Sequence, residues 1–362
     1  MPQELATAEL ARILRGEALP PGRAWTDLLD AAIAHGVLPL LAAEARRQGG
    51  GHGIEALNRA APAEAALVML RVRELRAALD ALGRSGVTPL VIKGAHLQWT
   101  HYGTPELRPR TDTDLLIAER DAATTRLVLE SLGYQPLAHV TGDVAFTQFH
   151  HWRDDGAGAR HALDVHRRVA NPRAFAGALT FEEMTAERIP IPELGPNAWG
   201  PCSVHALLLA AIHRTAHHAN SDRLIWLYDV RQLCASLTAE DWSRLVVDAM
   251  RGGVAPYVGS ALARAGALLG ARAPAAVLKQ LLDAPAGCDA AVFSGAGGRP
   301  RDVLVSDWRH LRGWGVRARF LREHLLPSPS YMRSRYPGSS AGLLPFLYVH
   351  RALAGLARLS RK

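Results

Sequence analysis

Two aspartates at positions 112 and 114 open a short apolar run, Leu115-Leu116-Ile117, and no other feature restricts the possible folds as sharply. On an extended chain side chains alternate between faces, so Asp112 and Asp114 leave by the same side and can converge on one ion or on an adjacent pair. Hard divalent cations such as Mg²⁺ or Mn²⁺ take oxygen ligands of this kind. A second extended run, Ala162 to Val169, alternates Leu163 and Val165 against Asp164 and His166. If it pairs beside Asp114, Asp164 joins the cluster. Three such carboxylates repel unless a cation compensates them, and a nucleotide's phosphates would complete its octahedron. Such a site suits in-line attack on an α-phosphorus with pyrophosphate as the leaving group.

Upstream, Val87 to Ile92 is an apolar, partly β-branched run that stops at Lys93-Gly94, where a helix can begin. Free backbone N–H groups at a helix start favour an anion, Gly allows close approach of a phosphate, and Lys supplies a point charge. Lysine occurs only at positions 93, 279 and 362 in a chain that otherwise uses Arg, which makes Lys93 pointed. Arg108 and Arg110 precede the acids and suit bidentate contact with a triphosphate. Taken singly, a D-x-D pair fits a solvated strand end, Lys-Gly is a common turn, and Asp164 fits the outer face of a strand. The order and the β-type flanks make the combination specific.

The rest of the chain is mainly helical in pattern. Residues 1–84 show apolar residues at threes and fours with breaks at Pro20-Pro21 and Gly49-Gly50-Gly51. Residues 85–200 interleave strands with helices near 95–102 and 121–132, the latter closed by Gly133. From Ser203, read as a helix cap, the helical period persists through residues 201–362, with helices expected near 224–237, 242–250, 258–269 and 275–282. Residues 284–300, rich in Gly, Ala and Pro, suggest a mobile loop; a basic helix near 308–326 and an amphipathic one near 344–359 follow. Trp226, Tyr228, Trp308 and Trp314 are expected in the core. The predicted class is α+β: a mixed-sheet core flanked by N-terminal helices and a C-terminal helical domain with a basic tail.

At 362 residues there is room for two or three domains. The net charge of +8 favours an anionic partner, and from Arg309 onward many arginines face a single acid, Glu323. Charge alone points only weakly to nucleic acid, which is not the expected partner. Three cysteines, Cys202, Cys234 and Cys288, lack metal-site spacing and imply a reducing compartment. The first residues lack a signal-peptide core and no run of about 18 uncharged apolar residues appears, so a cytoplasmic location is expected and a membrane partner is not. The last helix is amphipathic enough to consider membrane contact, but packing on the helical domain is the expected role.

The run Val91-Ile-Lys-Gly-Ala, then Arg110-Thr-Asp-Thr-Asp114-Leu-Leu, then Leu163-Asp-Val-His166 resembles the uncharacterised nucleotidyltransferase family of bacteria, itself similar to the polymerase-beta-like fold that serves aminoglycoside nucleotidyltransferases. The likeness extends to Leu208–His213 and Leu224–Asp229, which resemble the family's second domain, and to a tail with Leu326-Pro-Ser-Pro-Ser, Met332 and Tyr336-Pro337. One departure stands out. Lys93-Gly94 replaces the superfamily's Gly-Ser pair, so phosphate handling is expected to differ. The resemblance implies transfer of a nucleoside monophosphate, AMP from ATP, to a small molecule or peptide. Some relatives resemble proteins of peptide natural-product pathways.

In that scheme Asp112, Asp114 and Asp164 hold the metals, Asp164 also helping to deprotonate the acceptor, while Lys93, Gly94, Arg108 and Arg110 bind phosphates. His166, His213 and Asp229 face the substrate cleft. His213 and His217 share a helix face, but no H-E-x-x-H pattern accompanies them, so a second metal site is not expected. Two alternatives stay open: a D-x-D glycosyltransferase, and a non-catalytic module that keeps the fold as a partner platform.

Overall fold

A computed structural model describes residues 3–137, 144–156, 159–285, 289–293 and 300–360. Seven short strands form one mixed sheet: β1 (Leu90–Val91), β2 (Thr113–Leu116), β3 (Gln135–Pro136), β4 (Gln148–Asp154), β5 (Arg160–His166), β6 (Ile189–Pro190) and β7 (Trp199–Gly200). Their order is β3-β4-β5-β2-β1-β7-β6. Central β2 runs parallel to β5 and antiparallel to β1, with all four of its residues buried. With helices at both ends of the chain, the fold is α+β.

Alternation along β2 and β5 sorts the two faces of the sheet. Leu115, Leu163 and Val165 pack with Val72, Leu75 and Leu79 of the long helix Ile54–Arg84. Leu116 on the opposite face belongs to the larger core, with Leu207, Leu208 and Leu227 from helices Ser203–His218 and Leu224–Ser236. Asp114 is two residues from Leu116, so it shares the face turned toward those helices. The apolar pattern thereby aims the acids into the space between sheet and helical domain.

Several elements depart from the sequence expectations. Only Leu90 and Val91 of the Val87–Ile92 run enter the sheet as a strand. The N-cap of helix Ser203–His218 is Cys202, and Ser203 is the first helical residue, its hydroxyl 3.2 Å from His101 Nε2. The single basic helix expected near 308–326 is two, Pro300–His310 and Trp314–Leu325, separated where Gly313 takes φ 86°. Trp314 is 77% exposed rather than in the core. The expected loop at 284–300 falls largely outside the described residues, as does Cys288; its described part includes a short helix, Ala290–Phe293.

Candidate active site

β1 ends by donating the Ile92 N–H to the Asp114 carbonyl at 3.1 Å, and the chain turns directly into the helix Lys93–Thr100. Lys93 sits at φ 55°, a left-handed conformation that costs a residue with a Cβ roughly 1–2 kcal/mol. Such strain persists only where surrounding contacts over-determine it. Here Lys93 Nζ donates to Asp114 Oδ1 at 2.7 Å and lies 3.3 Å from His166 Nε2. Burial opposes ionisation of Asp114, but the Lys93 ammonium and the His166 hydrogen bond, 2.8 Å, hold its carboxyl well below the usual range. Burial and the same ammonium lower the His166 pKa, so the ring is neutral, and an Nε2 proton directed at Asp114 makes the 2.8 Å bond while Nδ1 is buried with no partner among the described residues.

The β2–β5 register sets Asp114 directly beside Asp164, and the β4–β5 register sets His150 beside Asp164 on its other flank. His150 Nδ1 bonds to Asp164 Oδ1. Although burial works against protonation of His150, that bond and the charges of Asp164, Asp112 and Asp114 raise its pKa. The ligand atoms of Asp114, Asp164 and His166 lie within 4.8 Å of one another. Asp112 stands outside that set but close enough to feel it. Burial, then the charges of Asp114 and Asp164, push its carboxyl up to about 6. Negative charge here exceeds what Lys93 and His150 compensate, and the donors are mostly carboxylate oxygens. The residues therefore fit a hard divalent cation.

These groups line a cavity of about 640 Å³ between the sheet, the long helix and helices Ser203–His218 and Leu224–Ser236, within the range of small-molecule sites. It is also lined by cations: Arg71 from the long helix, Arg110 from the loop before β2, where it donates to the Asp112 carbonyl at 3.0 Å, and Arg223 just before helix Leu224–Ser236. Arg71 Nε, Arg110 Nη2 and Arg223 Nε are buried with no hydrogen-bond partner among the described residues. Burial and neighbouring Arg71 lower the Arg110 pKa to about 10, so the guanidinium is short of counter-charge. His213, His217, His218 and Trp226 close another side, with His218 stacked on Trp226 at 3.9 Å between centroids. Burial, then Lys93, lower His217 to about 3 and His218 to about 4, so both are neutral. His213 Nε2 lies 2.9 Å from His218 Nε2.

Arg108 and Asp229 line the cavity but are committed to each other. Arg108 Nε and Nη2 donate to the two oxygens of Asp229 at 2.7 and 2.6 Å, and the Tyr102 hydroxyl donates to Asp229 Oδ1 at 2.6 Å. The expectation of a phosphate-clamping Arg108 thus meets a fork already closed on a carboxylate 121 residues away. Gly94 belongs to the same arrangement. A Cβ there would lie 2.9 Å from the Arg108 guanidinium, so the space that the sequence suggested for a phosphate holds an arginine.

The description "uncharacterised nucleotidyltransferase" attaches to the family whose model matches residues 21–270, well over half of the chain. The chain belongs to that family. No curated protein matches it. Membership supports nucleotidyl transfer as the general chemistry, with a nucleoside triphosphate as substrate.

In this member of the uncharacterised nucleotidyltransferase family, three cavity or site residues escaped sequence reasoning: His150, Arg71 and Arg223. The segment Gln148-Phe-His-His-Trp-Arg-Asp154 does alternate, with Phe149 and His151 buried, and that signal was available. Its buried positions mix aromatic and histidine, which masked the strand. Arg71 and Arg223 carry no local mark, since each is an arginine among many in a helical segment.

Proposed function

We propose that the chain transfers a nucleoside monophosphate, AMP from ATP, to a hydroxyl on a small-molecule or peptide acceptor. Asp112, Asp114 and Asp164 hold Mg²⁺ or Mn²⁺, which when bound offsets their charge and the charge developing on the phosphates. The triphosphate lies along Arg71, Arg110 and Arg223, whose side chains line the cavity. Lys93 contributes a further positive charge beside Asp114. Asp164, oriented by His150, takes the acceptor's proton as the acceptor oxygen bonds to the α-phosphorus and pyrophosphate departs. Arg108 with Asp229 fixes the wall of the site and does not touch phosphate.

One observation carries this reading: a register that pairs Asp114 with Asp164 in a cavity also lined by Arg71, Arg110 and Arg223, each with a buried donor that lacks a partner among the described residues. Carboxylates and arginines lining one cavity match a metal-bound polyphosphate better than a neutral sugar, and family membership likewise favours nucleotidyl over glycosyl transfer. The test is pyrophosphate release from each nucleoside triphosphate with Mg²⁺ or Mn²⁺ across pools of small-molecule and peptide acceptors. Asp114→Asn and Asp164→Asn should each lower release about 100-fold or more, and a nucleotide mass should appear on an acceptor. Folded protein that binds neither Mn²⁺ nor any triphosphate would end the catalytic reading in favour of a partner platform.

A further inference from the structure

Beyond the cavity, the least expected surface is the C-terminal arm, residues 309–355, which lies outside the family match at 21–270. Of eighteen large apolar side chains exposed in the described residues, nine fall between Trp314 and Leu353. They include Trp314 at 77% and Phe346 at 72% exposure. The charge is equally one-sided. Arg309, Arg312, Arg319, Arg322, Arg333 and Arg335 are exposed, whereas the only acid after Asp307, Glu323, is buried and accepts hydrogen bonds from the Val144 and Ala145 amides.

That buried acid, with Phe320 packed beside Val144 and Ala145, anchors the arm next to the start of β4. Among the described residues, the final helix, Leu344–Ser360, packs chiefly on its neighbours Pro329–Arg335 and Ala341–Leu343, where its sequence suggested packing on the helices after Ser203. It rests on the segment just before it: Tyr348 donates to the Pro327 carbonyl at 2.7 Å and Arg351 to the His324 carbonyl at 2.5 Å. At about 100° per residue, Phe346, Val349 and Leu353 lie roughly 100–160° around the helix from Tyr348. They form one strip, 72, 59 and 60% exposed, on the side of the helix away from the Tyr348 contact.

We propose that this arm docks the protein on an anionic lipid surface, with the Phe346–Val349–Leu353 strip in the headgroup boundary and the arginines on the phosphates. The arm as a whole joins exposed aromatic and aliphatic side chains to exposed arginines at 309–335 with no exposed acid among its described residues, the chemistry of an interfacial segment. A second copy would bring the same positive charge to the contact, so like charges oppose that pairing. No helix among the described residues is long and apolar enough to cross a membrane, so the contact is peripheral. It places a nucleotidyltransferase-family cavity at a membrane face and does not depend on the transfer reaction itself.

The experiment is co-sedimentation of the full chain with vesicles of phosphatidylcholine alone or mixed with phosphatidylglycerol. Binding is expected only to the mixed vesicles, falling as salt rises. Phe346→Ser with Leu353→Ser, and separately Arg319→Gln with Arg322→Gln, should each weaken it about tenfold or more while the thermal melt stays unchanged. Absence of binding to the anionic vesicles, equal binding to neutral ones, or unchanged binding in both variants overturns the proposal. So does a dimer in solution that Phe346→Ser dissociates, which assigns the face to a second copy. Capture of polyglutamate without vesicle binding assigns it to an acidic polypeptide.

Discussion

Replacing Asp229 by alanine removes the carboxylate on which Arg108 closes its fork and on which the Tyr102 hydroxyl rests. The Arg108 and Asp229 side chains are only 8% and 6% exposed, so water cannot replace what is lost. Two charge-assisted hydrogen bonds of 2.7 and 2.6 Å disappear, and a buried guanidinium is left without its counter-ion. Breaking a buried pair from one side costs about 3–5 kcal/mol, and the orphaned Tyr102 hydroxyl adds about 1 kcal/mol. Asp229→Ala should therefore lose about 4–6 kcal/mol in urea unfolding followed by tryptophan fluorescence and circular dichroism, with coincident transitions. The converse carries equal weight. Removing both charges, Arg108→Met with Asp229→Leu, leaves no unpaired ion and should return to within about 2 kcal/mol of the parent, because apolar packing replaces a buried pair at little net loss. A single variant within about 1 kcal/mol of the parent, or a double variant no better than the single, would refute the assignment of Arg108 as a buried brace between core and second domain.

Gly94→Ala should destabilise by about 1–3 kcal/mol in a thermal melt, because its Cβ would stand 2.9 Å from the Arg108 guanidinium; an unchanged melt would mean that Arg108 yields freely. His150→Ala frees the Asp164 carboxylate and should weaken Mn²⁺ binding, read by electron paramagnetic resonance, about 10–100-fold, whereas equal affinity would remove His150 from the support of that ligand. Arg71→Gln should weaken binding of inorganic tripolyphosphate about tenfold or more by calorimetry, and no change would take the arginine lining out of phosphate binding. Burial opposes ionisation of Glu183, but Arg251 and the Thr180 cap hold its carboxyl down at about 2 in the folded protein, against 4.5 for an unperturbed glutamate. Its stabilising contribution is then present above about 4.5 and lost as the pH falls toward about 2, so Glu183→Gln should flatten the acid limb of stability against pH.

What the sequence made legible follows from local periodicity. Asp114 and Asp164 lie on recognisable short apolar runs, so both could be named without coordinates, whereas Asp112 falls in the bend before β2 rather than on the strand that the alternation argument assumed. Their convergence was conditional on strand pairing, and the β2–β5 register meets that condition for Asp114 and Asp164. The remainder depends on contacts that no local rule encodes. Arg108 looks like a phosphate ligand from its place beside the acids, yet its partner is Asp229 on a helix of the second domain. Arg71 comes from an upstream helix and Arg223 from the segment that opens helix Leu224–Ser236, and only packing of the long helix on one sheet face and the second domain on the other brings both to the rim of one cavity. The Asp114–Asp164 pair is thus a property of two neighbouring strands, and the arginine lining a property of tertiary assembly. A substitution that loosens helix Ile54–Arg84 from the sheet should accordingly weaken phosphate contacts before it disturbs the Asp114–Asp164 pair, because β-sheet hydrogen bonds hold the acids together independently of that helix.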